Sequence, residues 1–575
     1  MKAMKLRKSL SILTVVCVIV AMAAGCTGPT AQSTASAQVP ASAAPSPTAA
    51  QETSAAPDGA YTLPLAKGDV TINCWGFPQP DWKVDNLDEN AFTKWLEEQT
   101  GVNLTFTMGP ATERETKLRL LLSGGEYPEV IFNPGFTPSE QMVYGSSGII
   151  LDLSGYIEKF GLETRRMYDE VPDIKSAVLR EGGKIYVMPS YYDTPHDHSY
   201  SRLWAYQPWM DKLGITTPAT TDDYYNMLVR FRDEDPNGNS KKDELPYVAA
   251  DPVWWSDSIT FLMNSFIYYN PLDMMDVLDG KVTAVYAQEE YREGLRYLNK
   301  LYTEGLLMPQ SFSQNDQALK QLLANDPMIV GTFAAHAPFV YCDEPVYSKL
   351  TPLAPLKGPK GVQYTAQYYT TQTDGTVITD KCANPEIAFK MLDFMYSTEA
   401  SARKSQGLKG VTWDYNTDDK LVNDYGVTPT WVTLLDNGEQ PANDRWALMG
   451  NGYQAEKYNG IYVMNMSPKA IEARKQNTGK VDGYVQIQLA AMNVGNKYFP
   501  PADIRMPQVM IFSEDESATL ADLELAVKNK VTEMRTQFIT GNASLDADWD
   551  TYVADLKTLG MDKVISMYQA AYDKR

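Results

Sequence analysis

The chain has 575 residues, five cysteines, three histidines and a formal net charge of −21 at pH 7. A surface this acidic argues against nucleic acid and anionic lipid as partners, because both are bound through basic patches. The length exceeds what a single hydrophobic core holds, which predicts two or more lobes.

The N-terminal segment has the pattern of a secretory signal peptide. Four basic residues lie within positions 2–8, positions 10–24 are almost wholly apolar, and small residues lead up to Cys26. The apolar run is short for a membrane span, which takes about twenty residues, and an uncleaved anchor helix is the alternative. Ala23-Ala24-Gly25-Cys26 resembles the bacterial lipobox, with Ala23 where Leu is usual. We therefore expect a lipoprotein signal peptide at 1–25 and a lipid anchor on Cys26, whose two acyl chains would hold the protein at a membrane.

A low-complexity segment follows the leader and precedes a globular region. Residues 26–60 consist almost entirely of Ala, Ser, Thr, Pro and Gln. This composition predicts a disordered tether, because it offers too few apolar side chains to form a core. Beyond the leader no apolar run approaches the length of a membrane span, so the lipid would be the only membrane contact.

Strand and helix patterns alternate from residue 70 onward. The first predicted elements are strand 70–75, helix 90–99, strand 102–107, helix 113–122 and strand 128–132, and longer amphipathic helices are predicted at 222–232, 288–302, 385–397 and 520–538. Such alternation is typical of α/β architecture with parallel strand pairing.

Several segments resemble one family of bacterial proteins. A helix leads through Gly124-Gly125 to Tyr127-Pro128 and a strand, and Gly183-Lys184-Ile185-Tyr186 precedes Pro189. The other matching segments are 209–214, 355–361, 384–399 and, most specifically, the tail at 538–572. In this order they resemble the extracellular solute-binding lipoproteins of carbohydrate ABC importers, the LplA-like group, to which the alginate-binding periplasmic proteins are related. The resemblance extends from Tyr61 to Arg575.

The resemblance implies an α/β, two-lobed periplasmic-binding-protein-like fold with discontinuous lobes and a hinge. It places lobe 1 at 61–195 and 365–412, and lobe 2 at 196–364 and 413–575. The chain is expected to cross between the lobes near 191–204, 358–369 and 407–415. A ligand that contacts both lobes only when they are closed would drive their closure.

Residues 233–244 satisfy the EF-hand loop pattern D-x-[DN]-x-[DN]-G-x5-E. Oxygen side chains that alternate in a tight loop can surround Ca²⁺, which accepts about six to eight oxygen ligands. The literal register uses Asp233, Asp235, Asn237 and Glu244. In the alginate-binding relatives a similar loop uses a shifted register, which here predicts calcium ligation by Asp235, Asn237, Asn239, the carbonyl of Lys241, Asp243 and Glu244. The alternative is a turn in which Asn and Asp cap their own backbone.

Aromatic residues near predicted strand ends and crossings are candidates for sugar binding. Sugars alternate apolar C–H faces with hydroxyl edges, which suits aromatic rings that lie beside polar side chains. Trp75 follows the first strand, at the end where α/β sheets bind ligands, and it is a preferred candidate together with Trp254-Trp255. For each residue a place in the buried core is the alternative. The candidates are Trp75, Trp82, Tyr191, Trp204, Trp254, Trp255, Tyr268 and Trp413.

Motifs for catalysis and redox chemistry are weak. His196-Asp197-His198 would place both imidazoles on one face of a strand, as a metal site requires, but a polar crossing loop is the favoured interpretation. The sequence contains no G-x-S-x-G, HExxH or P-loop in a suitable context. Cys74, Cys342 and Cys382 are widely spaced and odd in number, which favours three buried thiols over one long-range disulfide.

These observations predict a receptor rather than an enzyme. We expect a monomeric, membrane-tethered substrate-binding protein of an ABC importer, located outside the cytoplasm. It would capture a carbohydrate, in particular an oligosaccharide, between its lobes and pass it to the membrane permease. Calcium is the expected cofactor, in a structural role. The alternatives are a secreted polysaccharide-degrading enzyme and a surface glycan receptor.

Overall fold

The computed structural model describes residues 61–574, except 80–82, 111–113, 194–197, 200, 251–255, 368–369, 421–427, 436–439, 456–482 and 509. The predicted signal peptide at 1–25, the lipid anchor on Cys26 and the tether at 26–60 therefore lie outside the described residues. Across the described ranges, no helix has the length and apolar character that a membrane crossing needs.

Strands and helices alternate along the chain. The strands are β1 Val70–Gly76, β2 Val102–Met108, β3 Val130–Phe132, β4 Met188–Tyr192, β5 Leu203–Tyr206, β6 Leu245–Val248, β7 Met275–Leu278, β8 Lys281–Ala284, β9 Val330–Ala334, β10 Leu350–Pro352, β11 Thr371–Ile378, β12 Trp413–Tyr415, β13 Trp431–Thr433 and β14 Gly452–Gln454. The helices are α1 Ala91–Thr100, α2 Arg114–Gly124, α3 Pro138–Ser146, α4 Ser154–Phe160, α5 Leu162–Glu170, α6 Pro172–Val178, α7 Gln207–Leu213, α8 Thr221–Asp233, α9 Thr260–Met263, α10 Glu289–Thr303, α11 Asp316–Leu323, α12 Glu344–Tyr347, α13 Pro385–Phe394, α14 Thr398–Gln406, α15 Gly483–Gly495, α16 Glu514–Thr540, α17 Trp549–Thr558 and α18 Met561–Tyr572.

Local sequence signals explain the helix boundaries. The side chain of Asn90 accepts a hydrogen bond from the backbone of Phe92 and begins α1. Gly101 ends α1 in the left-handed conformation, and a Cβ there would lie 1.9 Å from the carbonyl oxygen of Ala66. The prediction of a helix from 90 to 99 that stops at Gly101 is thus confirmed to within a residue.

Two sheets organise the chain. The first has strand order β14-β4-β11-β3-β1-β2, and the second has strand order β10-β5-β9-β6. In the first sheet β1 is parallel to β2 and β3, whereas β11 is antiparallel to β3 and β4. In the second sheet β6 is parallel to β9, and β5 is antiparallel to β9 and β10. We call each sheet, with the helices packed on it, lobe 1 and lobe 2 respectively.

One part of the expected lobe division is wrong. We expected residues 413–575 in lobe 2, but β14 pairs with β4 in the first sheet. Before it, the fully buried Trp446 packs on Phe92 and Phe132, with ring centroids 4.9 and 5.0 Å away. Burial of this large ring in the lobe 1 core holds residues 446–454 there.

The chain passes between the sheets at two described places. It leaves β4 and enters β5 through residues 193–202, and it leaves β10 and enters β11 through residues 353–370, as the sequence predicts. The third crossing is not at 407–415, because β14 still belongs to the first sheet. The next described helix, α15, packs against β10 and α12 of lobe 2.

The longest helix contacts both lobes. α16 packs against α3 in lobe 1 and against α10 in lobe 2. Ser513 and Glu516 form a capping box at its N-terminus, six residues before the predicted start at 520. The three cysteines 74, 342 and 382 are free thiols, as expected, but only Cys74 and Cys382 are buried, whereas Cys342 is partly exposed.

Candidate ligand site

Both described crossings meet the first sheet at the carboxyl edge of its parallel strands. β4 ends at Tyr192, and Thr371, the first residue of the antiparallel β11, pairs with Tyr191. Residues 193–202 therefore leave lobe 1 at the same edge to which residues 353–370 return. This is also the edge at which the parallel strands β1 and β3 end.

The same crossings meet the second sheet at its own carboxyl edge. Leu203, the first residue of β5, pairs with Ala334, the last residue of β9. The backbone of Leu353, just after β10, donates to the carbonyl of Leu203 at 2.8 Å. Ser199 and Gln367 then form a bridge between the two crossings. Ligands of α/β sheets bind beyond the carboxyl ends of strands, so the space between these two edges is the candidate ligand site.

The lobe 1 edge carries an aromatic ring, a guanidinium and a carboxylate. Arg114 lies over Phe77, with Cζ 4.2 Å from the ring centroid. The carboxylate of Asp374 accepts from the backbone of Gly135 at 2.6 Å, and burial raises the pKa of Asp374 to about 7. Asn133 directly follows β3 and donates from Nδ2 to the carbonyl of Asp374 at 2.8 Å.

The lobe 2 edge is built from hydrogen-bonded loops. Arg202 donates to the carbonyl of His336 at 3.1 Å, and Ser256 donates to the carbonyl of Ala334 at 2.6 Å. Asp257 accepts from the backbone of Ile259 at 2.7 Å. Residues 251–255, which come after β6 in the sequence, lie outside the described residues.

The aromatic candidates have different surroundings. Trp75 is fully buried beside Gly109, and its indole N–H has no hydrogen-bond partner in the described part of the structure. Trp204 and Trp413 are also buried, but their indoles donate to the carbonyls of Ala335 and Gly407 at 2.8 and 3.0 Å. These two therefore have the environment of core residues. Trp82, Trp254 and Trp255 lie outside the described residues.

The two candidate tyrosines lie beside the crossings. Tyr191, on β4, is 5.9 Å from Tyr453 between ring centroids, and burial raises its pKa to about 12. Tyr268 is buried, and its ring makes an edge contact with Tyr364, on the second crossing, at 6.3 Å. A role in ligand binding stays a prediction for all eight aromatic candidates.

His198 lies in the first crossing, as the favoured interpretation of this motif expects. Its Nε2 is 3.2 Å from the carboxylate of Asp193, and both side chains are partly exposed. His196 and Asp197 lie outside the described residues. Within the described ranges, no three His, Cys, Asp or Glu side chains are arranged to hold a metal ion.

The predicted calcium loop follows α8 directly. The Asp235 carboxylate accepts from the backbones of Gly238, Asn239 and Ser240 at 2.9–3.1 Å. Asp243 accepts from the side-chain amides of Asn237 and Asn239 at 2.9–3.1 Å. These are the contacts of a self-capped turn, and they use the residues of the shifted register.

Glu244 differs from the other acidic residues of this loop. Its side chain is buried, and Oε1 has no hydrogen-bond partner among the described residues. Burial and the charges of Asp243 and Asp235 raise the pKa of Glu244. A buried oxygen without a donor fits an oxygen-ligated cation, so the donor set is suited to Ca²⁺.

Sequence reasoning missed Lys404 at the lobe 1 edge. This lysine of α14 is fully buried, and its Nζ donates to Tyr192 Oη at 2.6 Å and to the carbonyls of Met449 and Gly450 at 3.2 and 3.3 Å. Burial lowers its pKa to about 7. No local signal marks it, because a lysine in an amphipathic helix is ordinarily exposed.

Two α/β sheets that are joined twice through their carboxyl edges define a two-lobed ligand-binding protein. The family described as bacterial extracellular solute-binding protein matches residues 82–402, more than half of the chain, and the chain belongs to this family.

Individual relatives show the same relationship. Over 500 residues the chain is 26% identical to the fructooligosaccharide ABC transporter substrate-binding protein FusA of Streptococcus pneumoniae serotype 4. The aligned region covers 85% of this chain and 87% of FusA. It is 25% identical to the lipoprotein LipO of Bacillus subtilis over 352 residues, 57% of this chain and 64% of LipO.

Solved structures confirm the fold. FusA in complex with kestose superposes with a TM-score of 0.72 at 22% identity, covering 88% of this chain and 99% of that one. The alginate-binding protein AlgQ2 without calcium ion gives a TM-score of 0.68 at 20% identity, covering 89% and 100%. The α/β solute-binding fold predicted from the sequence is therefore confirmed.

Lys404 makes stability depend on pH in a defined direction. Its pKa falls from 10.5 to about 7 on folding, so above pH 7 the folded protein has lost a proton that the unfolded chain keeps. The cost of burying the charge is complete below pH 7 and is relieved as the pH rises. Between pH 7 and pH 9 the loss of this proton adds about 2 kcal/mol to the free energy of unfolding.

We therefore expect the wild type to gain stability from pH 7 to pH 9 relative to Lys404→Met, as measured by urea unfolding. Lys94→Met, on a side chain that is 54% exposed, is the control and should follow the wild type. Parallel pH profiles of wild type and Lys404→Met would show that the buried amine does not titrate.

Proposed function

We propose that this chain is the membrane-tethered substrate-binding protein of a carbohydrate ABC importer. Its ligand would be an oligosaccharide held between the carboxyl edges of the two sheets. The observation that carries this proposal is the attachment of both described crossings to these edges, which makes one site from two lobes. The relative FusA is named for fructooligosaccharides and has a structure with kestose, which supports a sugar ligand.

The chemistry of the lobe 1 edge suits a sugar. A ring such as Phe77 offers an apolar face to sugar C–H groups, and Asp374 and Arg114 offer an acceptor and donors to hydroxyls. A ligand that contacts both edges binds the closed form better than the open form, and this difference shifts the population toward closure. Delivery then requires the permease to reopen the lobes.

Titration calorimetry against fructo-, alginate- and galacturonate-oligosaccharides tests the sugar proposal. We expect binding of at least one class without release of shortened products. Trp255→Ala should weaken this binding by about tenfold or more, equivalent to 1.4 kcal/mol of lost contact. Trp95→Ala, which removes a tryptophan packed on Phe394 of lobe 1, is the matched control and should bind normally. Shortened products would support the secreted enzyme instead, and failure of every sugar to bind would refute the proposal.

We also propose that the loop at 233–244 binds a structural calcium ion in the shifted register. Asp235, Asn237, Asn239, the Lys241 carbonyl, Asp243 and Glu244 would supply the oxygens, and the cation would compensate the buried Glu244. Bound calcium would link α8 to β6, which begins at the next residue, Leu245. Its role is therefore to brace a loop of lobe 2.

Calcium should raise the melting temperature of chelator-treated protein and release heat in a titration. Asp243→Asn should abolish both effects, because Asp243 is a ligand only in the shifted register. Asp233→Asn, at a position that only the literal register uses, should leave them intact, and the reverse result would select the literal register. Absence of heat and of a thermal shift in the wild type would leave a self-capped turn.

A lipid anchor on Cys26 completes the proposal. The leader at 1–25, the tether at 26–60 and the relative LipO, which is named a lipoprotein, support it. Cells that express the protein should incorporate a palmitate analogue, and Cys26→Ser should lose the label. Cys17→Ser changes the other cysteine of the N-terminal segment and should keep it. Labelling that survives in Cys26→Ser would contradict the anchor.

A further inference from the structure

The segment that follows α15 lies along the second crossing. The backbone of Thr365 donates to the carbonyl of Tyr498 at 2.9 Å. Further along both segments, Arg505 donates from Nη1 to Oε1 of Gln367. We call residues 496–508 the hinge strap, because its contacts follow the second crossing in order along the chain.

The hinge strap also contacts the first crossing. Ser199 donates from Oγ to Oδ1 of Asn496 at 2.5 Å. A Cβ at Gly495 would lie 2.8 Å from the same Oγ, so a larger residue there would displace the Ser199 side chain. Since Ser199 also forms the bridge to Gln367, the hinge strap adds a third segment to the two crossings.

The end of the hinge strap is attached to both lobes. The backbone of Arg505 pairs with Asp276 of β7. The partner of β7 is β8, which ends at Ala284 in the lobe 2 core. Gln508 donates from Nε2 to the carbonyl of Thr371, the first residue of β11 in lobe 1, at 2.5 Å. The stretch from Arg505 to Gln508 therefore connects the two lobes.

This connection is short and stiff. A stretch of three residues spans at most about 11 Å when it is fully extended. Pro507 fixes one backbone dihedral within it. Met506 is buried in a cluster with Met275 of β7, which holds the hinge strap on the lobe 2 side. A rotation that moves β11 relative to β7 therefore acts directly on the side-chain contacts of Arg505 and Gln508.

The contacts of the hinge meet at Gln367. Its backbone forms the bridge to Ser199, its carbonyl accepts from Nδ2 of Asn270 at 3.4 Å, and its side chain accepts from Arg505. A hydrogen bond from a charged donor contributes about tenfold or more to an equilibrium constant. Arg505 is therefore placed to favour one arrangement of the crossings over another.

We propose that Arg505 and Gln508 are positioning residues of the hinge, which set the population of the closed form without touching the ligand. Loss of either contact changes the balance between the open and closed forms. The apparent dissociation constant of a ligand is its intrinsic constant divided by the fraction of binding-competent protein, and this fraction is the same for every ligand. The inference rests on the proposed function and adds a means of tuning affinity away from the ligand contacts.

Titration calorimetry on hinge-strap variants tests this inference. Arg505→Met should change the affinity for every fructo-, alginate- or galacturonate-oligosaccharide that the wild type binds, at each chain length, by one common factor of about tenfold. Gln508→Met should change it in the same direction, because methionine fills the space and removes the donor. Arg505→Lys keeps a charged donor and should recover part of the change. Lys497→Met removes a charge from an exposed position of the same segment and should bind like the wild type.

The common factor separates a hinge effect from a ligand contact and from a loss of stability. If the wild type binds sugars and Arg505→Met binds them equally well, the inference is refuted while the proposed function stands. A factor that differs from one sugar to another would assign Arg505 a direct ligand contact and refute the inference too. A lowered melting temperature with unchanged affinity would assign it a purely structural role, with the same consequence. If the wild type binds no sugar, both proposals fail.

Discussion

The antiparallel pairing of β11 with β4, and of β5 with β9, is the constraint on which the rest of the structure depends. It turns the chain so that each described crossing leaves one sheet and enters the other at a carboxyl edge. The bridge between Ser199 and Gln367 then ties the two crossings together. Because the strand ends of both lobes lie next to the crossings, one ligand can contact both lobes, and a change in the angle between the lobes changes the site.

Three buried ionisable side chains lie at the lobe 1 edge. Lys404, Asp374 and Asp444 all lie there, and burial lowers the pKa of the lysine and raises the pKa of both carboxyls. A core selected for stability alone would avoid such groups, since each one costs desolvation free energy. Their presence at one edge agrees with a surface shaped to recognise a polar ligand, at some expense of stability.

The sequence predicted what depends on local pattern and missed what depends on distant contacts. Asn90 and Gly101 bound α1 as their capping preferences require, and the strand beginning at Val70 is in place. By contrast, Trp446 lies in a stretch of short elements without periodicity, so nothing local indicates that it enters the lobe 1 core. Trp413 was expected to be a ligand candidate, but it is buried and its indole N–H donates to the carbonyl of Gly407. Sequence spacing alone does not distinguish such a core tryptophan from one that lines a cleft.

The central claim is that one ligand contacts the carboxyl edges of both sheets. Hydrogen–deuterium exchange of the protein with and without a saturating oligosaccharide tests this most directly, because backbone protection is reported segment by segment. The account predicts that binding slows exchange both at residues 74–90 of lobe 1 and at residues 245–260 of lobe 2, while α18, which lies in neither edge, exchanges as before. Protection confined to one lobe, or located away from both edges, would contradict it.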